Sequence, residues 1–185
     1  MASVLRDLAP PGIRIADGVG RVPAVSGLYA IYGDADAAHQ LRLTTALPET
    51  LLYVGKAEDD LVARDLRTHF ASGRTGSSTV RRSFAALLRE PLLLRAMPRN
   101  PAKPGYFHCY GLEESSDARL TEWMQSHLTL SVWPKPPGTS LREIERSVLE
   151  QLDPPLNIAT VATPRTALQA ARARMADEAR AWTFS

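Results

Sequence analysis

A glutamate inside the apolar stripe of a helix is the first residue of this chain that needs a chemical explanation. In TSLREIERSVLEQL (139–152), with about 100° per residue, Leu141, Ile144, Val148 and Leu152 share one face and Leu149 its edge. Glu145 falls within that stripe, between Val148 and Leu149, whereas Glu143 and Glu150 lie on the opposite side. An unpaired buried carboxylate is costly and usually takes up a proton instead. Glu145 therefore calls for a cation, a cleft or a metal ion, or for an arginine in a buried salt bridge. The helical wheel alone leaves these open.

Two tyrosines come next. SGLYAIYG (26–33) and TLLYVGK (50–56) read as short strands bounded by turn residues. Period-two alternation puts Gly27, Tyr29 and Ile31 on one face of the first, and Leu51, Tyr53 and Gly55 on one face of the second. If the strands pair, both hydroxyls can share a face, each with a glycine leaving room beside it. Tyrosine is also a good strand former, so a purely structural use fits these residues equally well. Alternation sets Lys56 on the face away from the tyrosines.

Other chemistry is thinner. The histidines at 39, 69, 108 and 127 have no metal-ligand spacing, and nothing matches GxSxG, a P-loop or a paired-histidine helix. GRTGSS (73–78) leading into a helix is a candidate anion site, since free backbone N–H groups and the helix dipole favour phosphate there. Arg74, Ser77, Ser78, Arg81 and Arg82 are its candidate contacts. Arg64 and Arg67 lie on the polar side of the preceding helical segment, with His69 nearer its apolar side.

The elements that must position these residues follow from periodicity and punctuation. Residues 60–70 read as a helix, and Ser77 or Ser78 caps another with Val80, Phe84, Leu87 and Leu88 in phase. Residues 34–49 read as an irregular excursion and GYFHCYG (105–111) as a strand. A helix follows with Leu120, Trp123, Met124, His127 and Leu128 on one stripe, then a strand at 128–134. The final helix takes Thr163 as its cap and Pro164 as its first residue. Strands mixed with helices in this order predict a small α/β or α+β domain.

With 185 residues, 44% hydrophobic and 23% charged, the chain is long enough to bury a real core. One cysteine, Cys109, excludes an internal disulfide framework. The start lacks an apolar leader and no window is long enough to span a membrane, so a cytoplasmic protein without membrane association is expected. The formal charge of +2 is uneven: Lys56 to Lys103 holds ten Lys/Arg against five Asp/Glu. That balance suits an acidic polymer, or simply a solvated surface.

Taken in order, these parts resemble the GIY-YIG nuclease family. Gly27-Leu28-Tyr29 is similar to the first signature, with leucine for the usual isoleucine, and Tyr53-Val54-Gly55 to the second. The arginine segment LVARDLRTHF follows directly, and Glu145 precedes Pro154-Pro155-Leu156-Asn157, similar to the family's glutamate helix and proline-rich turn. Arg64 comes one residue later than the family spacing, and His69 five residues beyond it instead of four. An insertion near Glu58-Asp59-Asp60 accounts for part of this, and Arg64 is preferred to Arg67.

The resemblance implies an α+β fold with a small antiparallel sheet of about three strands flanked by helices, and an extra C-terminal helix. It divides the chain into an extension (1–24), the nuclease-like domain (25–160) and an amphipathic helix (161–185) packed on it. It implies hydrolysis of DNA phosphodiester bonds with one divalent ion, Mg²⁺ or Mn²⁺, held by Glu145. Tyr29 would contact the attacking water as base or orienting partner, Tyr53 would position water or phosphate, Arg64 would stabilise phosphate charge, and Asn157 would brace the site. DNA contacts are expected from Lys56, Arg67, His69, Arg74, Ser77, Ser78, Arg81 and Arg82, with a protein partner as one source of sequence specificity. The competing expectation is a nucleic-acid-binding module on the same fold, with little or no catalysis.

Overall fold

The computed structural model describes residues 1–18, 20–43, 47–64 and 68–183, the side chains of Ala63 and Arg64 excepted. Arg67 and the Arg64 side chain, both named above, lie outside the described residues. The chain forms two compact units, Met1–Arg67 with Gln125–Arg165, and Thr68–Met124 with Thr166–Ser185.

The first unit is built on an antiparallel sheet. Strand β1 (Ile13–Arg14) is followed by β2 (Gly27–Asp34) and β3 (Glu49–Ala57), and β6 (Leu128–Pro134) inserts between the first two, giving the order β1-β6-β2-β3. The sheet has four strands rather than about three, because residues 13–14 pair with Thr129 and Leu130 at its edge. Central β2 is buried along nearly its whole length, as a strand whose every second residue faces a different apolar layer must be. Leu28, Ala30, Tyr32, Val54 and Trp133 form a core with helix α6 (Leu141–Leu152) through Leu141, Val148 and Leu149. Helix α1 (Ala2–Asp7) adds Val4, and Leu8 just beyond it joins the same core, where the Tyr32 hydroxyl donates to the Leu8 carbonyl at 2.7 Å.

Residues 35–40, expected to be irregular, form helix α2 (Ala35–Gln40), because the Asp34 carboxylate accepts from the Ala37 N–H and satisfies its first turn. The expected helix over 60–70 is described only as α3 (Leu61–Arg64). At the end of α6, Asp153 turns the chain in a left-handed conformation (φ 41°). Leu156 N–H then donates to the Leu52 carbonyl on the free edge of β3.

The second unit centres on helix α4 (Thr79–Leu87), helix α5 (Glu114–His127, its last residues belonging to the first unit) and helix α7 (Thr166–Ala181). Val80, Phe84, Leu120, Met124, Leu168 and Met175 are buried, and Phe84 meets Trp123 at 5.6 Å between ring centres. Helix α7 packs on α4 and begins at Thr166, not at Pro164. The expected cap is engaged elsewhere: the Thr163 hydroxyl donates to Asp153 at 2.6 Å. The strand read at 105–111 is replaced by a short 3-10 turn over Phe107–Cys109. Tyr106 takes a left-handed φ of 49°, which breaks the alternation and leaves only β4 (Ala96–Met97) and β5 (Gly111–Leu112) as a two-stranded ladder.

Candidate active site on the third strand

Four successive residues of β3 organise the candidate site. Tyr29 pairs across the ladder with Gly55. A Cβ at Gly55 would collide with the Tyr29 hydroxyl and come within 2.8 Å of Tyr53 Cε1, so glycine is what lets the first ring lie across the second strand. The Tyr29 and Tyr53 rings stand 6.1 Å apart, tilted by 33°. Tyr29 is fully buried, and Tyr53 is the partly exposed member of the pair.

Val54, between Tyr53 and Gly55, is held by Asn157. The side-chain amide of Asn157 accepts from the Val54 N–H at 2.9 Å and donates to the Val54 carbonyl at 2.7 Å. This double bond pattern satisfies both backbone groups of one edge residue, with Asn157 itself buried. It ties the turn after α6 to the strand bearing Tyr53.

Lys56, next in line, reaches Glu145. Its ammonium stands 3.5 Å from Glu145 Oε2 and 2.8 Å from Glu58 Oε1. Lys56 does project away from Tyr53 and Gly55, as alternation requires, yet that is the face on which α6 packs. Contact with the glutamate was not legible from alternation within one strand; the signal was the apolar phase of α6, which needs a sheet face to cover. Burial pushes the Glu145 carboxyl above the usual glutamate range, with the Glu58 charge adding to it and Lys56 opposing. The Lys56 ammonium is raised, first by its bond to Glu58 and then by Glu145, against a lowering from burial. Among the described residues, Lys56 is the partner of Glu145, so this half-buried carboxylate keeps oxygen lone pairs to spare.

The residues from Tyr53 to Lys56 span about 10 Å of extended strand. Over that length the strand carries the tyrosine pair on one face of the sheet, the asparagine brace at its edge, and the lysine–glutamate pair on the face that α6 covers. A pocket of about 470 Å³ beside Lys56 and Glu145 is lined also by Arg142, Arg146 and Thr160.

Four of the residues expected to touch DNA are built into the second unit instead. His69, Ser78 and Arg81 are fully buried and Arg82 nearly so. His69 Nδ1 lies 2.7 Å from the Ser78 hydroxyl, which caps α4 by accepting from the Arg81 N–H. Arg81 pairs with Asp117 at 2.9 Å and donates further to Thr75, Thr121 and the His69 carbonyl. Arg82 donates to the Gly76 carbonyl at 2.8 Å. The serine-capped helix start is thus filled by the protein's own groups. Arg74 and Ser77 remain at the surface beside it.

A family model of the GIY-YIG catalytic domain matches residues 27–176. The chain belongs to this family of nucleases, whose members generally depend on a divalent metal ion. The match runs past residue 160 into α7. No curated protein and no solved structure gives a significant match.

The site's donors fit such an ion. Among the described residues no group of three or more His, Cys, Asp or Glu side chains is placed to hold a metal. Mg²⁺, however, is commonly bound by one or two carboxylates with waters and substrate phosphates. A half-buried carboxylate with spare lone pairs, Glu145, offers that donor set, with Glu58 on the other side of Lys56. No helix among the described residues is long and apolar enough to cross a membrane.

Proposed function

We propose that this chain is a metal-dependent endonuclease that hydrolyses DNA phosphodiester bonds at the β3 site. One observation carries the reading: four consecutive residues of β3 contact or pair with Tyr29, Asn157 and Glu145, the residues that family membership makes candidates. In hydrolysis, water adds to phosphorus, one P–O bond to a sugar oxygen breaks, and that oxygen takes up a proton. Glu145 would hold the divalent ion, Mg²⁺ or Mn²⁺, which when bound lowers the pKa of water and neutralises phosphate charge.

The remaining roles belong to side chains of the chain itself. Tyr53, the partly exposed ring, meets water or a phosphate oxygen through its hydroxyl. Tyr29, buried across Gly55, packs beside Tyr53 and would orient the attacking water or fix the position of Tyr53. A tyrosine hydroxyl ordinarily titrates near pH 10, so at neutral pH it orients water as a hydrogen-bonding group. Lys56 holds Glu145 aimed at the strand and adds positive charge for the phosphate. Arg64 would contribute charge to the phosphate, and Arg67, Arg74 and Ser77 are candidate contacts for the DNA backbone. Asn157 keeps the strand edge from shifting. The setting we propose is cytoplasmic, with sequence preference supplied by loops of this chain or by a protein partner.

The test is nicking of supercoiled plasmid by the purified chain with Mg²⁺, Mn²⁺ or EDTA, beside Glu145→Ala. Metal-dependent nicking that disappears in a folded Glu145→Ala variant is the expected result. Substantial cutting by that variant would overturn the assignment. Salt-sensitive DNA binding without any metal-dependent nicking would make the chain a binding module on the same fold.

A further inference from the structure

The second unit carries an exposed aromatic ring set among cations, on a loop that the β3 site does not use. Tyr106 is 84% exposed. Its backbone is left-handed (φ 49°), and its ring stands edge-on to His108 at 6.2 Å and 79°. An exposed tyrosine with a side-chain neighbour on one edge presents a free face. The loop is tied down around it: Cys109 N–H donates to the Tyr106 carbonyl at 2.7 Å, and Lys103 N–H to the Asn100 carbonyl at 3.1 Å.

A cavity of about 650 Å³ opens beside this ring, lined by Arg99, Asn100, Lys103, Tyr106 and Cys109 among others. No carboxylate is among the described residues that line it. Residues 91–112 hold Arg95, Arg99 and Lys103 and no Asp or Glu. Arg99 is also seated: its side-chain stem crosses Gly76, where a Cβ would come within 2.6 Å of Arg99 Cγ. Arg82 nearby is held below its usual range chiefly by burial, with Arg172 and, less strongly, Arg99 adding to the lowering and Cys109 and Tyr110 opposing it. A flat ring with a free face, a cavity and unmatched cations in one loop are the parts of a single-strand binding platform, where bases stack on aromatics and cations follow the phosphates. A base inside a duplex has both faces covered, so only an unpaired one can stack here.

We infer that the loop of residues 98–109 binds an unpaired nucleotide of a DNA strand, with Tyr106 stacking on the base and Arg99 and Lys103 meeting its phosphates. The choice of DNA rests on the proposed nuclease function; the stacking geometry does not. In that reading the substrate class includes DNA with a gap, flap or loop.

The test measures anisotropy of a fluorescein-labelled 12-nucleotide single strand and of a hairpin duplex, with the full chain in EDTA so that nothing is cut. Tyr106→Ala is expected to weaken single-strand binding at least about fivefold, with duplex binding changed less than about twofold, while Tyr106→Phe, which keeps the ring, stays near the parent. Arg99→Gln with Lys103→Gln should flatten the salt dependence of single-strand binding. Because Tyr106 is exposed, circular dichroism of Tyr106→Ala should match the parent. Equal binding by Tyr106→Ala, equal losses on duplex, or no single-strand binding by the parent would each overturn the inference. The two proposals fail separately. A chain that nicks plasmid while Tyr106→Ala binds like the parent loses this site and keeps the nuclease. A chain that never nicks while Tyr106→Ala loses single-strand binding does the reverse.

Discussion

Two ion pairs in this chain look alike on paper and do opposite work. Arg81 and Asp117 form a pair at 2.9 Å in the second unit, with side chains 0% and 4% exposed. Lys56 and Glu145 form one at 3.5 Å in the first, with side chains 27% and 21% exposed. The first is saturated: besides Arg81, Asp117 accepts from Ser72, Thr75 and the Gly73 N–H, and Arg81 has partners for each of its nitrogens. The second is loose, shared with Glu58, and leaves Glu145 with oxygens uncommitted. The contrast separates a charge pair whose hydrogen-bonding capacity is filled from one that has capacity left. A carboxylate whose lone pairs are all taken has nothing to give a ligand, however buried it is.

The largest effect should come from breaking the saturated pair. Arg81→Ala leaves Asp117 buried without its cation, and should cost about 3–5 kcal/mol of folding stability by urea titration. Combining Arg81→Met with Asp117→Leu should recover most of that loss. If Arg81→Ala unfolds no more easily than the parent, the pair is not the structural one.

Glu145→Ala should show the reverse pattern, with nicking reduced at least about a hundredfold and the urea midpoint nearly unchanged. Loss of folding together with activity would erase the distinction between the pairs. Smaller again is Asn157→Ala, which strips both backbone groups of Val54 of their partner. It should cost about 1–3 kcal/mol and lower nicking as the strand edge loosens. A variant with parent stability would mean that water replaces the amide without penalty.

The subtlest test uses pH. Because the folded protein raises the Glu145 pKa, it holds that proton more tightly than the unfolded chain does. Stability contributed by this group therefore falls as pH rises from the usual glutamate range through the raised value. Glu145→Gln cannot ionise, so it should melt at a higher temperature than the parent at pH 8. The difference should vanish at about pH 3, well below the usual glutamate range, where both side chains are neutral. A parent that melts higher than the variant at pH 8 would show that Lys56 outweighs burial, making this pair stabilising like the other.

Much of the first unit was legible because its signals are local. The phase of Leu141, Ile144, Val148 and Leu152 fixed the buried face of α6, and with it the anomaly of Glu145. Alternation in two short strands put Tyr29 and Tyr53 on one face. Helix α2 was missed because six residues give no apolar period, although Asp34 was a readable cap. The start of α7 was misplaced because Thr163 is drawn to Asp153, ten residues upstream. At His69, Ser78, Arg81 and Arg82, basic and polar residue types suggested a DNA-facing surface. Arg81 is instead received by Asp117 and Thr121 on another helix, which no local pattern announces.

By itself, then, the sequence determined the main strands and helices of the first unit, the family signatures, and the one carboxylate whose place in a helix made no structural sense. Those follow from backbone periodicity and side-chain solubility, which act over a few residues. Only the tertiary structure decided which charges are spent and which are free. That depends on how many donors from distant segments reach each carboxylate, and it saturates Asp117 while leaving Glu145 able to hold something more.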